Sequence, residues 1–290
     1  MGAPLGSFTR RTLIQSVAAF AAGRTLCAAD PPSIRFGCQT NAWAINAADF
    51  GNVLAVLRKI KDYGYDGFET GFANVQRQFD SAAAAKRQLD AVGLRFFGVH
   101  IFLTQYDPAT YVAPPDLYER VATGGASLGA ERLILSGAPP ADDAGRKRKA
   151  EALNRAGAFA AKLGLTLAYH NHGPEVEHNG AEIEFLLRET DPAKVWFLLD
   201  AGHAFHAGAD VPAFIRRHHH RLAGMHLRDF KNGEQVPLGA GDFPLSGVVE
   251  AIRQTGWSGW VLNEEERLNS KPGDAAVQPA RDALFHAIGK

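Results

Sequence analysis

Histidine and carboxylate residues end several apolar segments of this sequence. The apolar run 195–199 stops at Asp200, a later run ends at His226, and the run 259–263 ends at Glu264. Runs this apolar are typical of strands buried on both faces, which occur in parallel sheets covered by helices. Because α/β folds place their chemistry at the carboxyl ends of such strands, these three side chains are predicted to face one site.

Asp200, His226 and Glu264 together have the residue types of a divalent metal site. Alone, Asp200 would more often cap a helix, and the run Glu264-Glu265-Glu266 would be a solvated acidic surface. As a set at the ends of three strands, they favour metal ligation. Mixed carboxylate and imidazole ligands suit manganese, iron, cobalt or zinc, and a site with open positions accepts substrate oxygens.

The segment Tyr169-His170-Asn171-His172 brings two further histidines near this set. Alternate residues of a strand face the same way, so His170 and His172 share one side. Two histidines packed against an apolar helix layer would be costly to satisfy, which favours the open end of the site. Glu175 follows in the next loop and is a further group that could reach it.

Further histidines and one glutamate lie outside this set of expected ligands. Glu69 and His100 end two earlier apolar segments, where substrate contact and a structural hydrogen bond are equally compatible with the sequence. The triplet His218-His219-His220 connects a helical segment to a strand, so we expect it at the opposite rim in a structural role. With eleven histidines and two cysteines, imidazole is the ligand type that the chain offers most.

The elements that position these residues alternate between strand and helix. Predicted strands cover residues 34–39, 66–69, 94–103, 132–136, 165–172, 195–200, a segment ending at 227, and 259–264, with helices predicted at 50–63, 79–92, 116–128, 146–163, 183–189, 211–217 and 245–255. Eight strands alternating with helices over this length are typical of a single α/β domain, the (β/α)8 TIM barrel. A doubly wound open sheet is the competing fold, but no Gly-x-Gly-x-x-Gly follows the first strand.

The first 29 residues differ from the rest of the chain. Residues 7–14 contain the pair Arg10-Arg11, followed by the weakly apolar run 16–22 and small residues at 27–29. This pattern resembles a bacterial twin-arginine (Tat) export signal, with a disordered basic tail as the alternative. The apolar run is shorter than the about 20 residues that span a bilayer. We therefore expect a signal peptide at 1–29, a mature catalytic domain at 30–290, and a periplasmic or secreted protein.

The composition narrows the range of partners. Lysine and arginine total 31, as do aspartate and glutamate, which gives no electrostatic reason to expect nucleic acid or an anionic membrane as partner. Cys27 is expected to leave with the signal, and Cys38 then stands alone. Neither a disulfide framework nor a cysteine-rich zinc site is therefore available.

From about residue 34 to residue 266 the chain resembles the sugar phosphate isomerase/epimerase superfamily, which has a xylose isomerase-like TIM barrel. The matching segments, in order, are Gly64-Tyr65-Asp66-Gly67-Phe68-Glu69, Tyr169-His170-Asn171-His172 with Glu175, Asp200-Ala201-Gly202-His203, His226-Leu227-Arg228-Asp229, and Gly256-Trp257-Ser258-Gly259-Trp260 running to Glu264. The resemblance implies one bound divalent cation, manganese before magnesium, cobalt, iron or zinc.

The resemblance also implies roles for individual residues. Asp200, His226 and Glu264 would bind the cation, and His203 would contact a small sugar substrate. Many epimerases of this group have a metal-binding glutamate on the fifth strand, whereas this chain has His170, as in a subgroup with Tyr-His-Asn-His, and His170 becomes the fourth expected ligand. The remaining expectations are acid–base catalysis by His172, Glu264 or Glu69, and substrate contact by His100, Arg228 and Glu175.

Such a site supports removal of a proton next to a carbonyl. A cation chelated by the carbonyl and a neighbouring hydroxyl stabilises the enediolate, and His172 or Glu264 takes the proton. Returning the proton to the neighbouring carbon gives isomerisation, returning it to the other face gives epimerisation, and loss of a β substituent gives dehydration or elimination. Because phosphorylated sugars stay in the cytoplasm, the expected substrate of an exported enzyme is a neutral keto-sugar, keto-inositol or oxidised glycoside.

Three other classes of protein compete with this interpretation. A hydrolase that uses metal-bound water fits the same ligands, and solvent-oxygen labelling would distinguish it. A DNA-repair endonuclease with this barrel would need a multi-zinc cluster and a basic surface, which the charge balance and the export signal argue against. A barrel that binds sugar without turnover is disfavoured by a complete set of ligands.

Overall fold

The computed structural model describes residues 1–2, 33–267 and 272–290 of the chain. Within these residues eight parallel strands close into a barrel and alternate with helices, which confirms the predicted TIM barrel. No helix in this part of the chain is long and apolar enough to cross a membrane. Residues 3–29 of the predicted export signal lie outside the described residues, so the signal stays a prediction.

The barrel strands follow one another around the barrel in chain order. The first seven are β1 (Ile34–Gln39), β2 (Gly67–Gly71), β3 (Arg95–Ile101), β4 (Arg132–Ser136), β5 (Thr166–His170), β6 (Val195–Asp200) and β7 (Leu222–Leu227). An antiparallel hairpin of β8 (Asp229–Lys231) and β9 (Glu234–Val236) follows β7. The last strand, β10 (Gly259–Asn263), pairs with β7 and with β1 and so closes the barrel.

The helices form the outer layer. In the described part of the chain they are α1 (Phe50–Asp62), α2 (Ala82–Val92), α3 (Pro115–Leu128), α4 (Asp143–Lys162), α5 (Gly173–Glu189), α6 (Ala201–His206), α7 (Val211–His218), α8 (Leu245–Thr255) and α9 (Asp274–Ile288). Glycines follow the last residue of two of them. Gly93 follows α2 at φ 76° and Gly256 follows α8 at φ 63°, a left-handed conformation that lacks a steric penalty only for glycine.

A small apolar cluster fills the interior of the barrel beneath the mouth. It consists of Phe97, Ile134, Ala168, Leu198, Trp260 and Leu262, which are at most 2% exposed. The Trp260 ring fits because its neighbour on β2 is a glycine. A Cβ atom at Gly67 would lie 2.6 Å from Trp260 Cη2, far closer than such atoms approach. The barrel is therefore a packed core, and its chemistry is confined to the rim.

The structure differs from the sequence prediction at α5, at α6, at the hairpin β8–β9 and at α9. Helix α5 begins at Gly173, ten residues before the predicted start, because Pro174 is tolerated in the first turn of a helix, where its missing N–H has no partner to lose. The hairpin β8–β9 was not predicted, although its turn, Asn232-Gly233, has the two positive φ angles, 53° and 82°, of a tight hairpin. Helix α9 was also not predicted and carries Pro279 in its interior.

Candidate metal and acid–base site

The candidate site is a polar layer directly above the apolar filling of the barrel. Its residues lie two positions beyond interior apolar residues of the same strands: Ser136 beyond Ile134, His170 beyond Ala168, Asp200 beyond Leu198, and Glu264 beyond Leu262. Residues two apart on a strand face the same way, so the strands that bury the filling also aim these side chains into the mouth. A shift of the strand register by one residue would turn each of these side chains toward the helices.

Four potential metal ligands meet in this layer. His170, Asp200, His226 and Glu264 are buried, and each offers one ligand atom within 4.8 Å of all the others. His170 Nε2 lies 3.0 Å from His226 Nδ1 and 3.3 Å from Glu264 Oε2. The same nitrogen lies 3.6 Å from Asp200 Oδ2. The structure thus brings together the four residues that the sequence singled out as ligands.

Arg228 balances the two carboxylates of the cluster. Its Nη2 lies 2.6 Å from Glu264 Oε2 and its Nε lies 3.1 Å from Asp200 Oδ2. Burial alone would raise the pKa of Glu264, but Arg228 and His226 outweigh burial and hold that pKa well below its ordinary value. Burial would lower the pKa of His226, yet Glu264 and Glu69 raise it to about 10. The Arg228 side chain is only 4% exposed and faces the two carboxylates from one side of the cluster, and the substrate contact expected for it stays a prediction.

The donor set fits a divalent cation. Asp200 Oδ2 is buried and makes no hydrogen bond, and it faces Arg228 Nε at 3.1 Å, whereas Asp200 Oδ1 accepts a hydrogen bond of 2.8 Å from the backbone N–H of His203. His226 Nδ1 and Glu264 Oε2 are in direct contact, and His170 Nε2 points at both. The lone pairs of Asp200 Oδ2 are free of hydrogen bonds and could bind a cation that adds to the charge of Arg228. These residues could hold a metal ion, and two imidazoles with two carboxylates suit manganese, iron, cobalt or zinc.

Glu69 and His100 lie behind the ligands and do not line the open mouth. Glu69 is fully buried, and its carboxylate contacts His100 Nδ1 at 2.9 Å and His226 Nε2 at 2.7 Å. His100 Nε2 lies 2.8 Å from Ser136 Oγ, and Ser136 Oγ lies 3.4 Å from His170 Nδ1. These contacts place Glu69 against His226 and link His100 through Ser136 to His170, while the acid–base role expected for Glu69 and the substrate contact expected for His100 stay predictions.

His172 lies nearer the solvent than the ligands. It follows β5 and precedes α5, with its ring 5.1 Å from the His170 ring and 5.4 Å from the His203 ring. Its Nδ1 atom is buried without a hydrogen-bond partner. Burial lowers the pKa of His172 below its ordinary value, which keeps the ring neutral and able to accept a proton at neutral pH.

Glu175 is placed behind His172 and not in the mouth. Its Oε1 accepts a hydrogen bond of 2.6 Å from the Tyr169 hydroxyl, and its Oε2 accepts one of 3.1 Å from the His172 backbone N–H. The buried Lys149 ammonium lies 3.8 Å away. Both oxygens of Glu175 are thus bonded at the start of α5, and the substrate contact expected for Glu175 stays a prediction. His218, interpreted as structural, contacts Glu184 at 2.9 Å and lies outside the cluster.

A cavity of about 330 Å³ opens beside the cluster at the mouth. Its lining comprises Thr40, Asn41, Trp43, Ile45, Asn74, Phe102, Glu266 and Arg267. Asn41 joins the cavity to the ligands, since its Nδ2 donates to Glu264 Oε1 at 3.1 Å and to Glu266 Oε1 at 3.4 Å. Sequence reasoning missed Asn41 because it follows β1 inside a polar segment that has no ligand-type residue. The mixture of aromatic faces, amides and charged groups suits a polyhydroxylated ligand.

Comparisons with known proteins agree with this architecture. The chain is 28% identical over 156 residues to the inosose dehydratase of Lacticaseibacillus casei, a match that covers 47% of this chain and 52% of that enzyme. The match thus spans about half the length of that curated relative. A sugar phosphate isomerase/epimerase of Parabacteroides distasonis superposes with a TM-score of 0.69 at 18% identity, covering 88% of this chain and 97% of that one.

A third relative is the 3-keto-D-glucoside 4-epimerase of E. coli in its apo form. It superposes with a TM-score of 0.68 at 18% identity and covers 89% of this chain and 100% of its own. At such identities the superpositions establish the fold alone. Residues 57–285, most of the barrel, match the model of the xylose isomerase-like TIM barrel family, and the chain belongs to that family.

Proposed function

We propose that this protein is a metal-dependent isomerase or epimerase that removes the α proton of a keto-sugar. The observation that carries the proposal is the buried cluster of His170, Asp200, His226 and Glu264, with a neutral histidine, His172, at its open side. A divalent cation bound there supplies Lewis acidity toward a carbonyl and its neighbouring hydroxyl. Inosose dehydratase and 3-keto-glucoside 4-epimerase, both similar to this chain, have names that point to cyclic ketone substrates.

His172 is the proposed acid and base. A general base must be unprotonated before reaction and must reach the substrate, and His172 combines a lowered pKa with a ring that is partly exposed at the mouth. Glu264 is less suited to this role, because Asn41 binds one of its oxygens and Arg228 binds the other. His203, about a quarter exposed beside His172, is placed to hold a substrate hydroxyl.

The proposed substrate carries no phosphate: a neutral keto-sugar, a keto-inositol or an oxidised glycoside. The predicted export signal supports this choice, since an exported enzyme would not meet phosphorylated sugars, and periplasmic or secreted location is part of the proposal. A dehydratase or other lyase is the second candidate. The similarity to inosose dehydratase favours it, and the same proton removal begins both reactions, so the fate of a β substituent distinguishes them.

Solvent deuterium uptake tests the proposal at the proton-transfer step. The protein loaded with Mn²⁺ would be incubated in D₂O with a panel of inososes, 3-keto-glucosides and ketohexoses, and deuterium at the α carbon would be followed. We expect uptake with at least one of these compounds. His172→Gln should keep the metal and slow uptake by about 10²- to 10⁴-fold. The matched control, His218→Gln, removes a histidine outside the cluster and should change neither quantity.

Two results would contradict the proposal. Uptake at the unaltered rate in His172→Gln would exclude His172 as the base and would make Glu264 the candidate. Incorporation of solvent ¹⁸O into the product without deuterium uptake would assign the site to a hydrolase.

A further inference from the structure

A hydrogen-bonded chain runs behind the two histidines of the cluster. It begins at Glu69, whose Oε2 contacts His226 Nε2 at 2.7 Å and whose Oε1 contacts His100 Nδ1 at 2.9 Å. It continues from His100 Nε2 to Ser136 Oγ at 2.8 Å and from Ser136 Oγ to His170 Nδ1 at 3.4 Å. All five residues are at most 1% exposed, so water does not compete for these bonds.

The chemistry of the carboxylate fixes the direction of the first two bonds. An ionised carboxylate accepts hydrogen bonds and donates none. Each oxygen of Glu69 lies within hydrogen-bond distance of a ring nitrogen, which is the geometry of a carboxylate that accepts from two imidazoles. His226 Nε2 and His100 Nδ1 must therefore both carry protons. When a cation takes the place of the proton on Nδ1, His226 presents the lone pair of that atom to the cation and keeps its proton on Nε2.

The proton on His100 Nδ1 also determines which atom donates and which accepts in the remaining hydrogen bonds, up to His170. A neutral His100 whose proton is on Nδ1 can only accept at Nε2, so the Ser136 hydroxyl donates to it. Having used its single proton, Ser136 Oγ can only accept from His170 Nδ1. A His170 ring that binds a cation is neutral, and with its proton on Nδ1 it keeps a lone pair on Nε2. That atom lies 3.0 Å from His226 Nδ1.

We propose that Glu69, acting through His100 and Ser136, selects the tautomers of both histidine ligands and so aims two lone pairs at one cation. Glu69, His100 and Ser136 are then positioning residues that never touch substrate. A histidine in the wrong tautomer would turn an N–H bond toward the cation and could not bind it. The inference rests on the proposed metal site. It adds that one carboxylate, Glu69, sets the positions of the protons on the imidazoles of His170 and His226.

Wild-type protein labelled with ¹⁵N-histidine tests the assignment without any substitution. Long-range ¹H–¹⁵N spectra of the metal-free protein should show His170 as the neutral Nδ1–H tautomer. Addition of Zn²⁺ alone should shift His170 Nε2 and His226 Nδ1, while His226 Nε2 remains protonated. A neutral Nε2–H tautomer of His170, or zinc bound through His170 Nδ1, would overturn the inference.

The spectra separate this inference from the metal site itself. If His170 has the Nδ1–H tautomer but Zn²⁺ leaves both rings unshifted, the chain of hydrogen bonds is supported and the proposed metal site is refuted. If zinc binds through His170 Nδ1, the metal site is supported and the tautomer assignment fails.

Ser136→Ala is the decisive variant, because it breaks the hydrogen-bonded chain without replacing any of the four proposed metal ligands. We expect His170 to become a mixture of tautomers and Zn²⁺ affinity, measured by chelator competition, to fall by about 10- to 100-fold. The control, Thr190→Val, removes another buried hydroxyl, one that donates 2.6 Å to the Leu186 carbonyl on the helix layer. It should lower thermal stability but leave affinity and tautomer unchanged. Wild-type affinity and a single Nδ1–H tautomer in folded Ser136→Ala would refute the proposed coupling.

Discussion

Glu265, the residue after the ligand Glu264, is expected to make the fold less stable in alkaline solution. Glu265 lies two residues beyond Asn263, the last residue of β10, and is completely buried. Its Oε1 accepts a hydrogen bond of 3.3 Å from the Leu238 backbone N–H, and its Oε2 is buried without a partner. Burial, above all, raises the pKa of Glu265 to about 8.

The direction and size of this pH effect follow from the number of protons that the folded and the unfolded protein bind. The unfolded chain releases the Glu265 proton near its ordinary pKa of 4.5, whereas the folded protein keeps it up to about pH 8. Between these values the folded state binds more protons, so the free energy of unfolding falls as the pH rises. Each pH unit in this window removes about 1.4 kcal/mol. Between pH 6 and pH 9 the loss from this one group is therefore about 3 kcal/mol.

Glu265→Gln removes the titration while keeping the shape of the side chain. Urea unfolding of metal-free wild type and variant at pH 6 and pH 9 gives the difference in free energy of unfolding, and the wild type should lose about 3 kcal/mol more than the variant. Glu250→Gln, on the exposed face of α8, is the control and should follow the wild type. An equal loss in wild type and Glu265→Gln would show that Glu265 is ionised in the folded protein and would refute the reasoning.

Three further outcomes are expected. Asp200→Ala should abolish Mn²⁺ binding in equilibrium dialysis, whereas His218→Ala should bind normally, and full occupancy of the Asp200 variant would exclude the proposed site. Gly202→Ala should lower both stability and turnover, because its Cβ would lie 2.2 Å from Arg228 Cγ, and unchanged melting temperature and turnover would show that Arg228 can move aside. Replacing Arg10-Arg11 by two lysines should retain the precursor in the cytoplasm, and normal export on cell fractionation would exclude a Tat signal.

The barrel and the composition of its polar layer could be predicted because both depend on local pattern. Strand runs such as 195–199 are visible as apolar segments, and the residue that ends each run must lie at the rim of a parallel sheet. The sequence therefore predicted that His170, Asp200, His226 and Glu264 lie near one another. It could not supply distances, because the gap across a barrel mouth depends on strand tilt and register, which no single segment encodes.

The contacts of the residues that surround the cluster could not be predicted from the sequence, for a different reason. These residues are Glu69, His100, Ser136 and Glu175. Glu69 and His100 have the side chains of a catalyst, and only their partners reveal that both ring nitrogens of His100 and both oxygens of Glu69 are already bonded. Ser136 gave no signal, since a serine at a strand end has many ordinary uses. Glu175 was misplaced because its loop was predicted to be irregular, whereas α5 begins before it and turns its carboxylate inward.

The Trp260 ring, seated against Gly67, also has a kinetic consequence. Apolar side chains fill the barrel interior below the cluster. In the proposed enzyme, substrate would therefore enter, and product and displaced water would leave, through the same mouth at the carboxyl ends of the described strands. A molecule of product that still occupies the mouth then blocks the next molecule of substrate. Product inhibition should accordingly be competitive, raising KM in proportion to product concentration while leaving kcat unchanged.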